Sequence, residues 1–280
     1  MKLRLLLSVI VVMVLGISFW ALAQTPPQQA PTPRTADGHA DLSGFWSDGR
    51  PDTATILVPN PAVVSDDGKT IQLGFVAERD LCARAQATLQ RRSGNPALRP
   101  SYKPEYQATV DDNFERQQFL DPGFRCQPEG VPRQGPPAEI VQTPTAVYFF
   151  YRPRQNNNSF RIIPMDGRPH NPDADAMADG DSVGHWEGDT LVVDVTNISE
   201  DTWLTIDGDI HSSEMRVVER FTRHGNTLHY EVTVEDPMMF TKPWSPPART
   251  VTLGRPGQHV EQNYPCSERS TPHLMNNDRH

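Results

Sequence analysis

The feature that most constrains this chain is its second half, a succession of short β-type runs broken by tight turns. Ser182–Trp186 leads into the turn Glu187-Gly188-Asp189, and Thr190–Thr196 (TLVVDVT) returns. Glu214–Thr222 (EMRVVERFT) and Thr227–Glu235 (TLHYEVTVE) flank His224-Gly225-Asn226. Thr250–Leu253 and His259–Tyr264 flank Arg255-Pro256-Gly257 as a third expected hairpin. Ala146–Arg152 and Ser159–Ile163 add two more strands around Asn156-Asn157-Asn158. Short strands joined by glycine-bearing turns lack the helical crossovers that a parallel sheet needs, and they point to an antiparallel barrel or sandwich. The fold class is therefore mostly β: a single lipocalin-like antiparallel β-barrel first, a sandwich second, with short helical insertions in the first half.

That first half is less regular. Asp41–Trp46 reads as an entry into a strand, and Thr53–Val58 as another. Phe75–Arg92 spaces Ala77, Leu81, Ala85 and Leu89 four apart, the stripe of an amphipathic helix. Val110–Phe119 fits a second, shorter helix, and Pro122–Pro137 is a Pro/Gly-rich loop carrying Cys126.

The N-terminus has a different chemistry. Lys2 and Arg4 precede a nearly continuous apolar run from Leu5 to Leu22 that ends in Ala21-Leu22-Ala23. A basic start, an apolar middle and a small-x-small end are the parts of a secretory signal peptide. Cleavage after Ala23 would leave Gln24 first, so residues 1–23 are the expected signal peptide. A retained membrane anchor is the alternative, since the run reaches the lower limit for a span. Residues 24–36, rich in Pro, Gln and Thr, have linker composition. The mostly-β domain is expected over residues 37–269, with a flexible tail over 270–280. The expected location is periplasmic or secreted, without stable membrane insertion after cleavage.

The full chain carries a formal charge of −9, and loss of Lys2 and Arg4 with the leader takes it to −11. An acidic chain without basic runs argues against nucleic acid as a partner. The three cysteines are Cys82, Cys126 and Cys266. In an oxidising compartment they imply one disulfide and one cysteine left over. Cys126 and Cys266 lie in loops and Cys82 on the expected helix, so Cys126–Cys266 is the expected pair.

Candidate chemistry comes from parity and clustering. In EMRVVERFT, Met215, Val217, Glu219 and Phe221 share one face. If that face is the core, Glu219 must be paired, most simply with an arginine, or must have a raised pKa. His170, His185 and His211 sit at strand ends or in loops. His211 is near Asp207 and Glu214, and His185 near Glu187 and Asp189. Imidazole beside carboxylate is the equipment of general acid–base catalysis. An ordinary structural role remains open for each histidine. Their spacing contains no HExxH or HxH, so no metal is assigned. No GxSxG, GxGxxG or phosphate-cradling motif is present, and no cofactor is expected. Trp186, Trp203, Trp244 and the aromatic strand Tyr148-Phe149-Phe150-Tyr151 would suit an apolar pocket with a few polar groups.

Several strings carry a resemblance. These are Asp37–Trp46 (DGHADLSGFW), Cys126–Arg133 (CQPEGVPR), Glu139–Pro144 (EIVQTP) and Asp166–His170 (DGRPH), followed by Ser182–Asp194 (SVGHWEGDTLVVD), His211-Ser212, Val218–Phe221 (VERF) and Thr241–Trp244 (TKPW). Together they resemble a large family of exported bacterial proteins of no stated activity. The resemblance implies one domain from Asp37 to about Arg269 and implies no reaction. Members of that family often carry a histidine before the SxG motif, where this chain has Asp181.

Two functional classes follow. The first choice is an enzyme using His211, His185, His170, Glu219 and Asp207 for proton transfer on a small, largely apolar substrate, as a lyase, isomerase, cyclase or hydrolase. The other is a lipocalin-like protein that binds a small apolar or aromatic molecule without catalysis. The oligomeric state is left open.

Overall fold

The computed structural model describes residues 31–47, 63–64, 71–72, 99–125, 127–152 and 159–260. From Thr32 onward these belong to one compact unit. Thr53–Val58, the amphipathic stripe of Phe75–Arg92 and all three cysteines lie outside the described residues.

Nine strands form one antiparallel sheet. They are β1 (Gly44–Ser47), β4 (Glu139–Gln142), β5 (Ala146–Phe150), β6 (Phe160–Pro164), β7 (Asp181–Glu187), β8 (Thr190–Thr196), β9 (Arg216–His224), β10 (Thr227–Glu235) and β11 (Arg249–Leu253). Their spatial order is β6-β5-β4-β1-β11-β10-β9-β8-β7, which nearly closes into a barrel. A separate two-stranded ribbon pairs β2 (Val63–Val64) with β3 (Ile71–Gln72). Between β3 and β4 come α1 (Pro104–Glu115), the short α2 (Gln117–Leu120) and a 3-10 turn over Pro122–Arg125. The fold is thus mostly β and barrel-shaped, with its helices in the first half.

Two of the three expected hairpins form. β7 and β8 pair from Asp181↔Thr196 to Glu187↔Thr190, and Gly188 turns the chain with φ +59°. β9 and β10 pair from Arg216↔Glu235 to His224↔Thr227, with Gly225 at φ +56°. Left-handed backbone costs glycine nothing, which is why these turns were readable. The third expected hairpin does not form over the residues described. β11 has β10 on one side and, through Trp46↔Leu253 and Ser47↔Thr252, β1 on the other, while residues 261–264 of the expected returning strand lie outside the described residues. His259 and Val260 bind Glu139 of β4 instead.

Alternation along each strand fills the interior. Val217, Glu219, Phe221 and Arg223 of β9 point inward, as do Leu228, Tyr230, Val232 and Val234 of β10 and Leu191, Val193 and Val195 of β8. Phe149, Ile163, Ile140 and Trp46 complete the core. Phe149 packs on Phe221 with centroids 4.8 Å apart, and Phe221 on Tyr230 at 5.0 Å. Side chains therefore occupy the space where a wider barrel would hold a ligand.

The barrel's seam lies between β6 and β7, which share no ladder hydrogen bonds. Gly184 lets them approach: a Cβ there would stand 2.5 Å from Met165 Sδ and 2.7 Å from Ile163 Cγ2. Side chains close the seam where backbone does not, because Arg161 of β6 donates to Ser182 Oγ of β7 at 2.8 Å.

Candidate functional site

The inward parity of Glu219 holds, and its partner is Arg161. The two meet at 2.6 Å with side chains 1% and 2% exposed. The other carboxylate oxygen of Glu219 accepts from Tyr230 Oη at 2.8 Å, while Arg161 also donates to Tyr151 Oη at 3.0 Å. Burial opposes a charged guanidinium, but the carboxylate of Glu219 more than offsets it and holds Arg161 above the usual arginine range. Burial pushes the phenols of Tyr151 and Tyr230 well upward, so both stay protonated and serve as hydrogen-bond partners. Asp179 lies nearby. Burial raises its pKa, against the pull of Arg161 and a 2.7 Å hydrogen bond from Gln134. This cluster is internal structure: the charges are paired, and only Arg161 Nε lacks a partner.

His211 is 2% exposed. Its Nδ1 lies 3.0 Å from the Ser212 carbonyl, which can only accept, so Nδ1 carries the proton. In the neutral ring, Nε2 lies 2.8 Å from the Thr202 hydroxyl, whose one proton it shares with the Ser199 carbonyl at 3.0 Å. Both nitrogens are thus taken, neither by a carboxylate. Burial lowers the pKa of His211, which favours that neutral form. Ser212 in turn donates through Nα and Oγ to Asp236, at 2.7 and 2.8 Å. Asp207 is buried, in the same loop as Asp209, whose pKa is raised by burial and which is bonded by Thr205 and Arg99.

The other two histidines stand on the barrel's outer surface. His170 Nδ1 meets Asp181 Oδ2 at 2.9 Å, and its Nε2 lies 3.5 Å from Asp194 Oδ1. Asp194 is itself held by Arg216. His185 is exposed, 3.3 Å from Glu187, which also pairs with Arg220. The structure therefore pairs Glu219, His170 and His185 with charged neighbours at three separate places. It does not gather the histidines around one opening.

The expected aromatic lining is likewise dispersed. Trp203 and Trp244 are buried, and Trp186 stacks on His39 with centroids 4.7 Å apart and planes 7° from parallel. Tyr148 and Phe150 lie on a face with open apolar surface, the outer side of β4–β6. Antiparallel register sets two rows across that face. One is Val141, Tyr148 and Ile162; the other is Glu139, Phe150 and Phe160. Phe160 is 61% exposed, Ile162 50% and Val141 42%. Glu139, Val141, Phe150, Tyr151, Ser159, Phe160 and Val260 line an open depression of about 330 Å³ there.

Sequence reasoning named Phe150 and Tyr151 of this depression but passed over Arg161, Glu139 and Phe160. Alternation in Phe160-Arg161-Ile162-Ile163 was the available signal: it turns Arg161 inward with Ile163 and leaves Phe160 and Ile162 on the surface. Among the described residues, no group of three or more His, Cys, Asp or Glu is arranged to hold a metal ion. No helix among them is long and apolar enough to cross a membrane. The chain matches no protein-family model, no curated protein and no solved structure.

Proposed function

We propose that this protein is an exported binding barrel that takes a small, largely apolar molecule in the depression on the outer face of β4–β6. The observation that carries the reading is the exposed apolar surface of Val141, Ile162 and Phe160 beside that depression. Single exposed hydrophobic residues are ordinary, but a contiguous patch with a concave floor is a feature of binding surfaces. Of the two classes, binding is favoured over acid–base catalysis. Catalysis at His211 needs a ring nitrogen free to exchange a proton with a substrate, and both are engaged in the interior. Export rests on the signal-peptide pattern of residues 1–23, and N-terminal sequencing of the secreted chain should begin near Gln24.

The test is titration with a neutral fluorescent apolar probe, N-phenyl-1-naphthylamine. Saturable one-to-one binding is expected. Phe160→Ser should weaken it about tenfold, the scale of one lost aromatic burial. Because Phe160 is largely exposed, the variant should melt as the parent does. Non-saturating binding, or affinity unchanged in Phe160→Ser, would remove the site.

A further inference from the structure

The depression has a chemical polarity as well as an apolar wall. Among the described residues, Glu139 is the carboxylate in its lining, and the lining holds no lysine or arginine. Glu139 pairs in register with Phe150, and Phe150 with Phe160, so carboxylate, ring and ring stand in one row across three adjacent strands. At the usual spacing between strands, the row spans about 10 Å from β4 to β6.

The chain's own contacts show what the carboxylate end of the row accepts. His259 places Nδ1 at 2.7 Å from one oxygen of Glu139, and the Val260 backbone N–H donates to the other at 2.9 Å. His259 is 72% exposed and Glu139 16%. An ionised carboxylate offers about four lone-pair positions, so two N–H groups leave room for a further donor.

We infer that the ligand is a hydrophobic cation: a protonated amine with an apolar body about 10 Å long, its ammonium at Glu139 and its body over Phe150 and Phe160. The inference rests on the binding reading above. It adds a sign to that reading, because an apolar anion of the same shape would bring its charge to Glu139 and be rejected. A volume of about 330 Å³ is that of a small-molecule site.

The experiment compares three probes of one shape, 4-phenylbutylamine, 4-phenylbutanol and 4-phenylbutyrate, by calorimetry at pH 8 and low salt. The amine should bind about fivefold more tightly than the alcohol, the range of one partly exposed charge contact, and the butyrate most weakly. Added salt should shrink the difference. Glu139→Gln should bring the amine to the level of the alcohol. His259→Ala frees one lone-pair position on Glu139, and it should strengthen the amine alone; this variant serves if Glu139→Gln does not fold. Equal binding of amine and alcohol, tightest binding of the butyrate, or an amine preference that survives Glu139→Gln would overturn the cation assignment. Each leaves binding of the neutral naphthylamine intact. Loss of that probe's binding as well would instead take down the site itself.

Discussion

Replacing Glu219 with Gln should be among the most damaging single changes in the barrel. The side chain keeps its shape, and its oxygen can still accept from Tyr230, so the change isolates the charge and one donor–donor conflict. Arg161 would remain 2% exposed, with its guanidinium facing an amide instead of a carboxylate. Breaking a buried pair in this way costs about 3–5 kcal/mol, since an uncompensated charge is left inside. For a chain of this size each kcal/mol moves the melting temperature by about 2–4 °C, so a fall of roughly 6–20 °C is expected. Urea denaturation followed by tryptophan fluorescence would measure it. The double variant Arg161→Met/Glu219→Leu removes both charges and restores apolar packing. It should lie within about 1–3 kcal/mol of the parent, the residual cost reflecting the Tyr230 hydroxyl left without its acceptor. The two single losses should therefore be strongly non-additive. A Glu219→Gln cost below about 1 kcal/mol, typical of an exposed pair, would refute the reasoning, as would single losses that simply add.

Gly184→Val should destabilise the chain by about 1–3 kcal/mol through overpacking at the seam, where the β-branched Ile163 cannot yield easily; urea midpoints test this. His211 sets a pH dependence of defined sign. Its folded pKa is lowered by burial, so the unfolded chain binds the proton more readily. The stability owed to neutral His211 is present above the unfolded value of about 6.5 and is lost as pH falls through and below it. The urea midpoint should drop between pH 7.5 and pH 5.5, and His211→Gln should reduce that drop; an equal drop in both proteins would contradict the assignment.

The parts of the fold legible in the sequence were those set by local chemistry. Gly188 and Gly225 fix two turns by backbone freedom, and strict alternation in β9 told inside from outside, Glu219 included. What escaped was set by competition between distant segments. Arg255-Pro256-Gly257 does turn the chain, with Gln258 N bonding the Arg255 carbonyl. The strand expected after it runs beyond the described residues, and β1, more than 200 residues earlier, takes the edge of β11 at Thr252 and Leu253. β4 was overlooked for a similar reason: its four residues have polar ends and become a strand only between β1 and β5. The site followed the same division. Residue type marked His211 as chemistry, whereas its burial depends on Thr202 and on the turn at Ser212, which no spacing reveals.

A packed interior and an exposed apolar outer face are two consequences of one alternation. Along β5, Val147 and Phe149 turn into the core while Tyr148 and Phe150 turn out; along β6, Arg161 and Ile163 turn in while Phe160 and Ile162 turn out. The inward set holds the strands in register, and the outward set inherits that register as rows. Tyr151 and Ser159 join the two sides. Both border the depression, yet Tyr151 accepts from Arg161, and the Ser159 hydroxyl donates to Gln134, which bonds Asp179. The floor of the outer depression is thus backed by the buried polar cluster. Arg161 ties β6 to Ser182 of β7, Glu219 of β9 and Tyr151 after β5, so the strands that carry the outer aromatic row are cross-linked from within.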